Sequence, residues 1–274
     1  MKFTKMHGAG NDFVIINNMV ENIPVEQLPE LAKKLCRQHL CVGADGMMVV
    51  VPAKNGGDFA MLFFNSDGSM GEMCGNGARC ICRYGYEKGL SAGPVRVETT
   101  AGLVIGERID SRNYRIRLND PSLIKPHGSA CIDGNDYDCA YVELGCPGLP
   151  HAVVEIPGLS AMDRDELREL GRKLRFWKDF PKGANVNFVE IKAEDLVDII
   201  TFERGVEDFT LACGTGCGST AAVLFRRGLC GRKLNLHAPG GELMVELLGS
   251  DNEISDIYLT GPTCIAFEAE TKEI

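Results

Sequence analysis

"ACGTGCGSTAAVLFRRG", Ala212 to Gly228, opens with a cysteine at the mouth of a Gly-x-Gly turn and runs on into an apolar stretch. "MCGNGARCICRYGYEKG", Met73 to Gly89, does the same earlier in the chain. The two are in register: 139 positions separate Cys74 from Cys213 and Gly89 from Gly228. The register continues into a strand–turn–strand signal after each putative helix, "VRVETTAGLVIGERI" from Val95 and "LNLHAPGGELMVELL" from Leu234. The turn glycines Gly102 and Gly241 keep the same offset. A fixed offset over drifted residues is the mark of a duplicated structural unit.

Further repeat signals lie upstream. "GAGNDFVII" from Gly8 resembles "GANVNFVEI" from Gly183, and "DFAMLFFN" and "DLVDIITFE" are strand candidates ahead of each cysteine. Each half therefore reads as strands, a cysteine turn, a helix and more strands. Two other helices are legible. "VEQLPELAKKLCRQH" begins after Pro24 and aligns Leu28, Leu31 and Leu35. "DRDELRELGRKLRFW" offers Asp163 as N-cap with Glu166 three residues on, and a Leu167, Leu170, Leu174 stripe. "NDPSLIKPHGSACIDGNDYD" reads as a junction between the halves, with the boundary near Leu118.

The 274 residues allow two domains with sizeable cores. A net charge of −9 argues against nucleic acid as a partner, since phosphate needs a basic face. No apolar run is long enough to span a bilayer, and the start has no secretory h-region, so the expected setting is cytoplasmic. The twelve cysteines are not spaced as a disulfide framework, and no C-x-x-C suggests structural zinc. Cys36, Cys41, Cys131, Cys139, Cys146, Cys230 and Cys264 are expected to be small buried hydrophobes.

A cysteine at a glycine-rich helix start has two consequences. The unpaired N–H groups of the first turn, with the helix dipole, welcome a carboxylate. The same field lowers the thiol pKa, so thiolate is expected near neutral pH. If the two halves pack about a pseudo-twofold axis, one thiol would stand on each side of a bound small molecule. That arrangement suits inversion of an amino-acid α-carbon, one thiolate removing a proton and the opposite thiol delivering one. Structural helix starts with buried cysteines are the plain alternative. A dithiol redox protein would more usually carry a local C-x-x-C. A metal module built on Cys74, Cys80 and Cys82 suffers because Cys80 and Cys82 point to different helix faces. The glycine turns match neither nucleotide-binding fingerprint.

Taken together, "HGAGNDFVIIN", "FNSDGSMGEMCGNGARC", "GANVNFV" and "FERGVEDFTLACGTG" resemble the diaminopimelate epimerase family of amino-acid racemases that work without pyridoxal phosphate. The resemblance runs from Lys5 to about Gly261. It implies an α/β (α+β) fold of two pseudo-symmetric halves, each a curved, mostly antiparallel sheet or barrel around a central helix. The halves would be residues 1–118 with 263–274, carrying Cys74, and residues 119–262, carrying Cys213. "TCIAFEAETKEI" would return to the first half. Cys74 and Cys213 would be the catalytic pair, with Cys213 deprotonating the L centre and Cys74 the D centre. Backbone N–H groups of Gly75, Asn76, Gly214 and Thr215 would cradle the carboxylate. Asn11, Asn65, Asn185 and Arg204 would hold the substrate, with Arg204 on the distal carboxylate. Glu203 would bind the α-ammonium or tune a thiol, and His151 would play a supporting role. Asp12 reads as a turn residue.

The implied activity is interconversion of LL- and meso-diaminopimelate by an isomerase that needs no cofactor and no metal, a homodimer with a small-molecule substrate. The nearest competitor is a racemase of the same design acting on histidine or glutamate. Two departures bear on that choice. Leu149 stands where many members carry Asn before Pro-His, and Phe209 where many carry Glu. Loss of a polar group weakens discrimination at a site that reads polarity.

Overall fold

The computed structural model describes residues 1–71 and 74–272. Two compact units emerge: Met1–Ile116 with Gly261–Ile274, and Arg117–Thr260. The first unit begins with β1 (Lys2–Gly8) and β2 (Asn11–Asn17), an antiparallel pair in which Met6 faces Phe13. Helices α1 (Asn18–Glu21) and α2 (Leu28–Leu35) cross over to β3 (Gly46–Val51), parallel to β2. A parallel neighbour requires such a crossover, because a tight turn can only reverse the chain. The α2 stripe forms as expected: Leu28, Leu31 and Leu35 are buried with Val14, Ile16, Met47 and Val49.

β4 (Phe59–Asn65) returns antiparallel to β3, and α3 (Gly75–Glu87) crosses over to β5 (Val95–Thr99), parallel to β4. β6 (Gly102–Arg108) and β7 (Asn113–Leu118) continue antiparallel. Residues Gly75 to Cys82 of α3 are all buried, so this helix is the centre of its unit.

The chain enters the second unit within β7 and repeats the plan. β8 (Pro121–Lys125), β9 (Ser129–Ile132) and β10 (Asn135–Leu144) form an antiparallel set with β10 in the middle, followed by β11 (Leu149–Glu155). The segment read as a junction is thus folded sheet. Asp133 and Gly134, both at positive φ, make a two-residue hairpin turn between β9 and β10. Its turn residues had masked two short strands.

α4 (Arg164–Arg175) crosses over to β12 (Asn185–Ala193), parallel to β11. The Asp163 side chain caps α4, accepting from the N–H groups of Asp165 and Glu166, and Leu167, Leu170 and Leu174 are buried. β13 (Leu196–Glu203) and the short β14 (Asp208–Thr210) are antiparallel. α5 (Gly214–Arg226) then crosses over to β15 (Lys233–Ala238), parallel to β13, followed by β16 (Gly241–Leu248) and β17 (Asp256–Pro262). Gly102 (φ 111°) and Gly241 (φ 138°) open the second strand of their hairpins, where the left-handed backbone favours glycine. The last strand, β18 (Cys264–Glu270), lies antiparallel to β1, so the C-terminal segment does return to the first unit; residues 273 and 274 are outside the description. The fold is α+β, each unit a curved, mostly antiparallel sheet around a central helix.

The ladders refine the internal repeat. Phe13 faces Met6 on one side and Gly46 on the other; His151 faces Val142 and Asn185. So β2 corresponds to β11, and β3 corresponds to β12. The likeness of "GAGNDFVII" to "GANVNFVEI" had matched β2 with β12, one strand out. A polar turn entering an apolar strand recurs too often to fix register by itself.

Cysteine placement also needs correction. Cys36, Cys139 and Cys230 are buried, but Cys41, Cys131 and Cys146 are exposed and Cys264 is half-buried. The exposed three lie in loops or on the outer face of a hairpin strand, where no core reaches them. Cys80 and Cys82 are buried in α3, and burial raises both thiols, Cys82 to about 12. Among the described residues, no helix is long and apolar enough to cross a membrane, and no His, Cys, Asp and Glu cluster is arranged to hold a metal.

Candidate active site

Cys74 is the N-cap of α3, its backbone extended (φ −108°, ψ 155°) and its Sγ accepting the Gly77 N–H at 3.3 Å. The sulfur lies 3.6 Å from Asn11 Oδ1. The Asn11 amide can point only one way, because its Nδ2 donates to Asp45 Oδ2 at 2.6 Å and a carboxylate only accepts. Asp45 also takes the Asp12 N–H at 3.0 Å, and returns its own N–H to Asp12 Oδ1 at 2.9 Å. The nearly buried Lys5 closes the group, pairing with Asp12 Oδ2 at 2.6 Å and bonding the Gly43 carbonyl. Asp12 is therefore more than a turn residue: it links a buried ammonium to the residue that touches Cys74.

The first turn of α3 is braced from inside. Arg79, wholly buried, donates to Asn76 Oδ1 at 2.8 Å and to the Gly75 carbonyl at 3.3 Å. Asn65, at the exposed end of β4, donates to Ser69 Oγ at 2.9 Å.

Cys213 holds the N-cap position of α5, again extended (φ −117°, ψ 109°), but its side chain accepts no N–H of the first turn. Its Sγ lies 3.5 Å from Thr215 Oγ1. Thr215 Oγ1 meets His151 Nε2 at 3.1 Å, and His151 Nδ1 meets Asn187 Nδ2 at 3.2 Å. Asn187 also donates to the Ala152 carbonyl at 2.9 Å and accepts the Thr201 hydroxyl at 2.9 Å. His151 and Asn187 are fully buried.

Asn185 and Arg204 join this cluster. The Arg204 N–H donates to Asn185 Oδ1 at 2.9 Å, while Asn185 Nδ2 donates to the Pro150 carbonyl at 3.1 Å. The Arg204 guanidinium bonds the Lys182 carbonyl at 3.2 Å. Leu149 begins β11 opposite Leu144. Phe209 packs edge-on to Phe202 at 6.0 Å, beneath the guanidinium of Arg168 at 5.5 Å. Its ring belongs to the α4 packing of this unit.

The electrostatics at Cys213 run against the simple helix-terminus expectation. Burial pushes this thiol well above its ordinary range, and the Glu203 carboxylate adds to the rise. The Thr215 hydroxyl and the Gly216 N–H pull the other way and do not overcome it. The residue keeps some exposed surface, yet desolvation by the surrounding protein outweighs the pull of the helix terminus. Burial, helped by the Arg204 guanidinium, depresses His151 from 6.5 to about 3, so the ring is neutral near pH 7.

The model of the family described as diaminopimelate epimerase matches residues 3–123 and 146–265. The chain is 37% identical to the diaminopimelate epimerase of Aquifex aeolicus, an alignment that covers 100% of this chain and 98% of that one. It is 36% identical to the diaminopimelate epimerase of Archaeoglobus fulgidus, covering 97% and 94%. This chain belongs to the diaminopimelate epimerase family. Among solved structures, a phenazine biosynthesis protein from Bacillus anthracis superposes with a TM-score of 0.76 at 16% identity, covering 99% of this chain and 98% of that one. A probable proline racemase from Agrobacterium radiobacter gives 0.70 at 19% identity, covering 98% and 92%. At these identities the structures speak for the fold alone.

In this diaminopimelate epimerase family member, sequence reasoning missed Asn187, Thr201, Asp45 and Lys5. A signal existed for Asn187. Asn185 and Asn187 alternate within "NVNFV", so both amides fall on one face of an otherwise apolar strand. A buried polar side chain on such a face must have partners, and here they are His151, Thr201 and the Ala152 carbonyl.

Proposed function

We propose that this protein interconverts LL- and meso-diaminopimelate by a two-base cysteine mechanism, the step that feeds lysine biosynthesis. One observation carries the proposal: Cys74 and Cys213 each cap the central helix of a repeated unit, 139 residues apart, within a chain that matches the family along its length. The two halves, residues 1–118 with 263–274 and residues 119–262, supply one thiol each. Cys213 as thiolate takes the α-proton of the L centre, and Cys74 as thiol returns a proton to the opposite face of the carbanion. In the reverse direction the roles exchange, so no net proton is gained or lost.

The first-turn N–H groups of Gly75, Asn76, Gly214 and Thr215 receive the α-carboxylate and stabilise charge that spreads onto it as the carbanion forms. Asn11, Asn65, Asn185 and Arg204 hold the rest of the substrate, with Arg204 on the distal carboxylate. Glu203 engages the α-ammonium, and His151 supports Cys213. The chemistry needs no cofactor. The enzyme acts in the cytoplasm as a homodimer, without nucleic-acid or membrane partners.

Proton NMR of the reduced protein with LL-diaminopimelate in D2O tests the reading. The α-proton signal should disappear as meso product forms, with nothing else added. Folded, reduced protein that leaves the signal intact would overturn the substrate assignment.

A further inference from the structure

The register equivalence of the two units allows their helix starts to be compared position by position. Under α3, Phe13, Met48 and Phe63 occupy three neighbouring ladder positions. They form an apolar group: the Phe13 and Phe63 rings meet edge-on at 6.0 Å. Under α5 the corresponding ladder positions hold His151, Asn187 and Thr201. These three are hydrogen-bonded to one another in series. Equivalent glycines of the two helices lie directly above. A Cβ on Gly77 would meet Met48 Cε at 2.6 Å, and one on Gly216 would meet Asn187 Oδ1 at 2.2 Å. An apolar support in one unit is thus a polar chain in the other, and that chain leads to a sulfur.

Its direction follows from donor and acceptor chemistry. The Ala152 carbonyl can only accept and the Thr201 hydroxyl is placed to donate, so the Asn187 amide is fixed with Nδ2 toward Ala152 and His151. His151 Nδ1 must then accept, and the neutral ring carries its proton on Nε2. That proton goes to Thr215 Oγ1, which leaves the Thr215 hydroxyl its own proton to give. The sulfur of Cys213 lies 3.5 Å away.

We propose that Asn187 is a positioning residue that holds His151 as its Nε2–H tautomer and so commits the Thr215 hydroxyl as a donor to Cys213 Sγ. A donor to sulfur favours thiolate. Cys74 is placed differently: Asn11 presents an oxygen to it, which accepts and favours the thiol. Cys74 Sγ accepts the Gly77 N–H, whereas Cys213 accepts no N–H from the first turn of its helix, so the Thr215 hydroxyl takes the donor's place there. The two sulfurs therefore meet different partners before substrate arrives, and the donor at Cys213 is the one that depends on the Asn187–His151–Thr215 chain. The other ionisable groups around Cys213 are Glu203 from β13 and Cys217 from α5, with Arg204 acting on His151. Glu203 opposes thiolate, and the hydroxyl donor offsets part of that opposition and part of the burial cost.

This inference rests on Cys213 being an acid/base group, but its tests need no substrate. Nitrogen-15 NMR of the five histidines, with His151 assigned by its loss in His151→Gln, should give His151 a protonated Nε2 and a bare Nδ1 at pH 7. The opposite tautomer overturns the proposal. Alkylation by iodoacetamide, followed cysteine by cysteine by mass spectrometry, supplies the second reading. Thr215→Val should slow Cys213 about tenfold, the change in thiolate fraction for about one pKa unit. Thr215→Ser should stay within about twofold of wild type, since it keeps the donor. Asn187→Ala should act like Thr215→Val, with Cys74 unchanged throughout. Equal slowing of both cysteines, or none, overturns the proposal. If Asn187→Ala does not fold, the tautomer in wild-type protein still decides. Should the alkylation shifts occur while diaminopimelate is not turned over, the chain of donors stands and the substrate reading falls.

Discussion

Cys74 and Cys213 are expected to be indispensable for different halves of one exchange. Cys74→Ala or Cys213→Ala should each lower epimerisation at least about a hundredfold, the scale of a lost acid/base group. A single mutant racemising at near wild-type rate would remove the two-base model. His151 makes a prediction about stability. Its folded pKa, about 3, lies below the 6.5 of an exposed histidine, so between these values the unfolded chain binds the extra proton. Stability is therefore full above pH 6.5 and drains away as pH falls toward 3, by a few kcal/mol in total. Urea titrations of wild type and His151→Gln across this window should show a flatter pH dependence in the variant. Parallel slopes would mean that other groups carry the acid sensitivity. The cysteines were legible because their signal is local: a thiol beside two glycines and a helix. Asn187 and Thr201 were not, because their roles depend on partners that only the strand ladders bring close.

The elements carry a sharper contrast. Gly77 and Gly216 occupy the same helical position over different supports, so the same substitution should have unequal effects. An added Cβ at Gly77 meets the tip of Met48, a flexible side chain that can swing away. At Gly216 it meets Asn187, which is held by hydrogen bonds to His151, Ala152 and Thr201. Gly216→Ala should therefore lower the Tm more than Gly77→Ala, and it alone should slow Cys213 alkylation. Equal effects would mean that Asn187 yields as easily as Met48. Helices were readable at this scale because cap and stripe agree, as at Asp163 with Leu167, Leu170 and Leu174. β8 and β9 were not, because strands this short, bounded by Pro126, Asp133 and Gly134, look like loop in composition.

At the scale of the whole molecule, the first unit is built from both ends of the chain. β18 covers the outer edge of β1 from Lys2 opposite Glu270 to His7 opposite Cys264. Phe267 meets Phe3 edge-on at 6.2 Å, and Lys88 pairs with Glu268 at 2.6 Å. The segment also reaches α3, because Arg83 donates to the Thr263 carbonyl at 2.6 Å. A chain truncated after Pro262 loses a strand, a brace on the helix that Cys74 caps, and the cover over an edge that is then open to aggregation. Several kcal/mol of lost pairing and packing should lower the Tm by roughly 10 °C or more, at about 2–4 °C per kcal/mol for a chain of this size. The second unit contributes no residue to this strand pair, so the damage should be uneven. Amide hydrogen exchange should speed in β1, β2 and the first turns of α3 while β12, β13 and α5 keep their protection. Uniform loss of protection in both units would mean that they unfold as one cooperative body, and unchanged protection would mean that β18 is dispensable to the unit it closes.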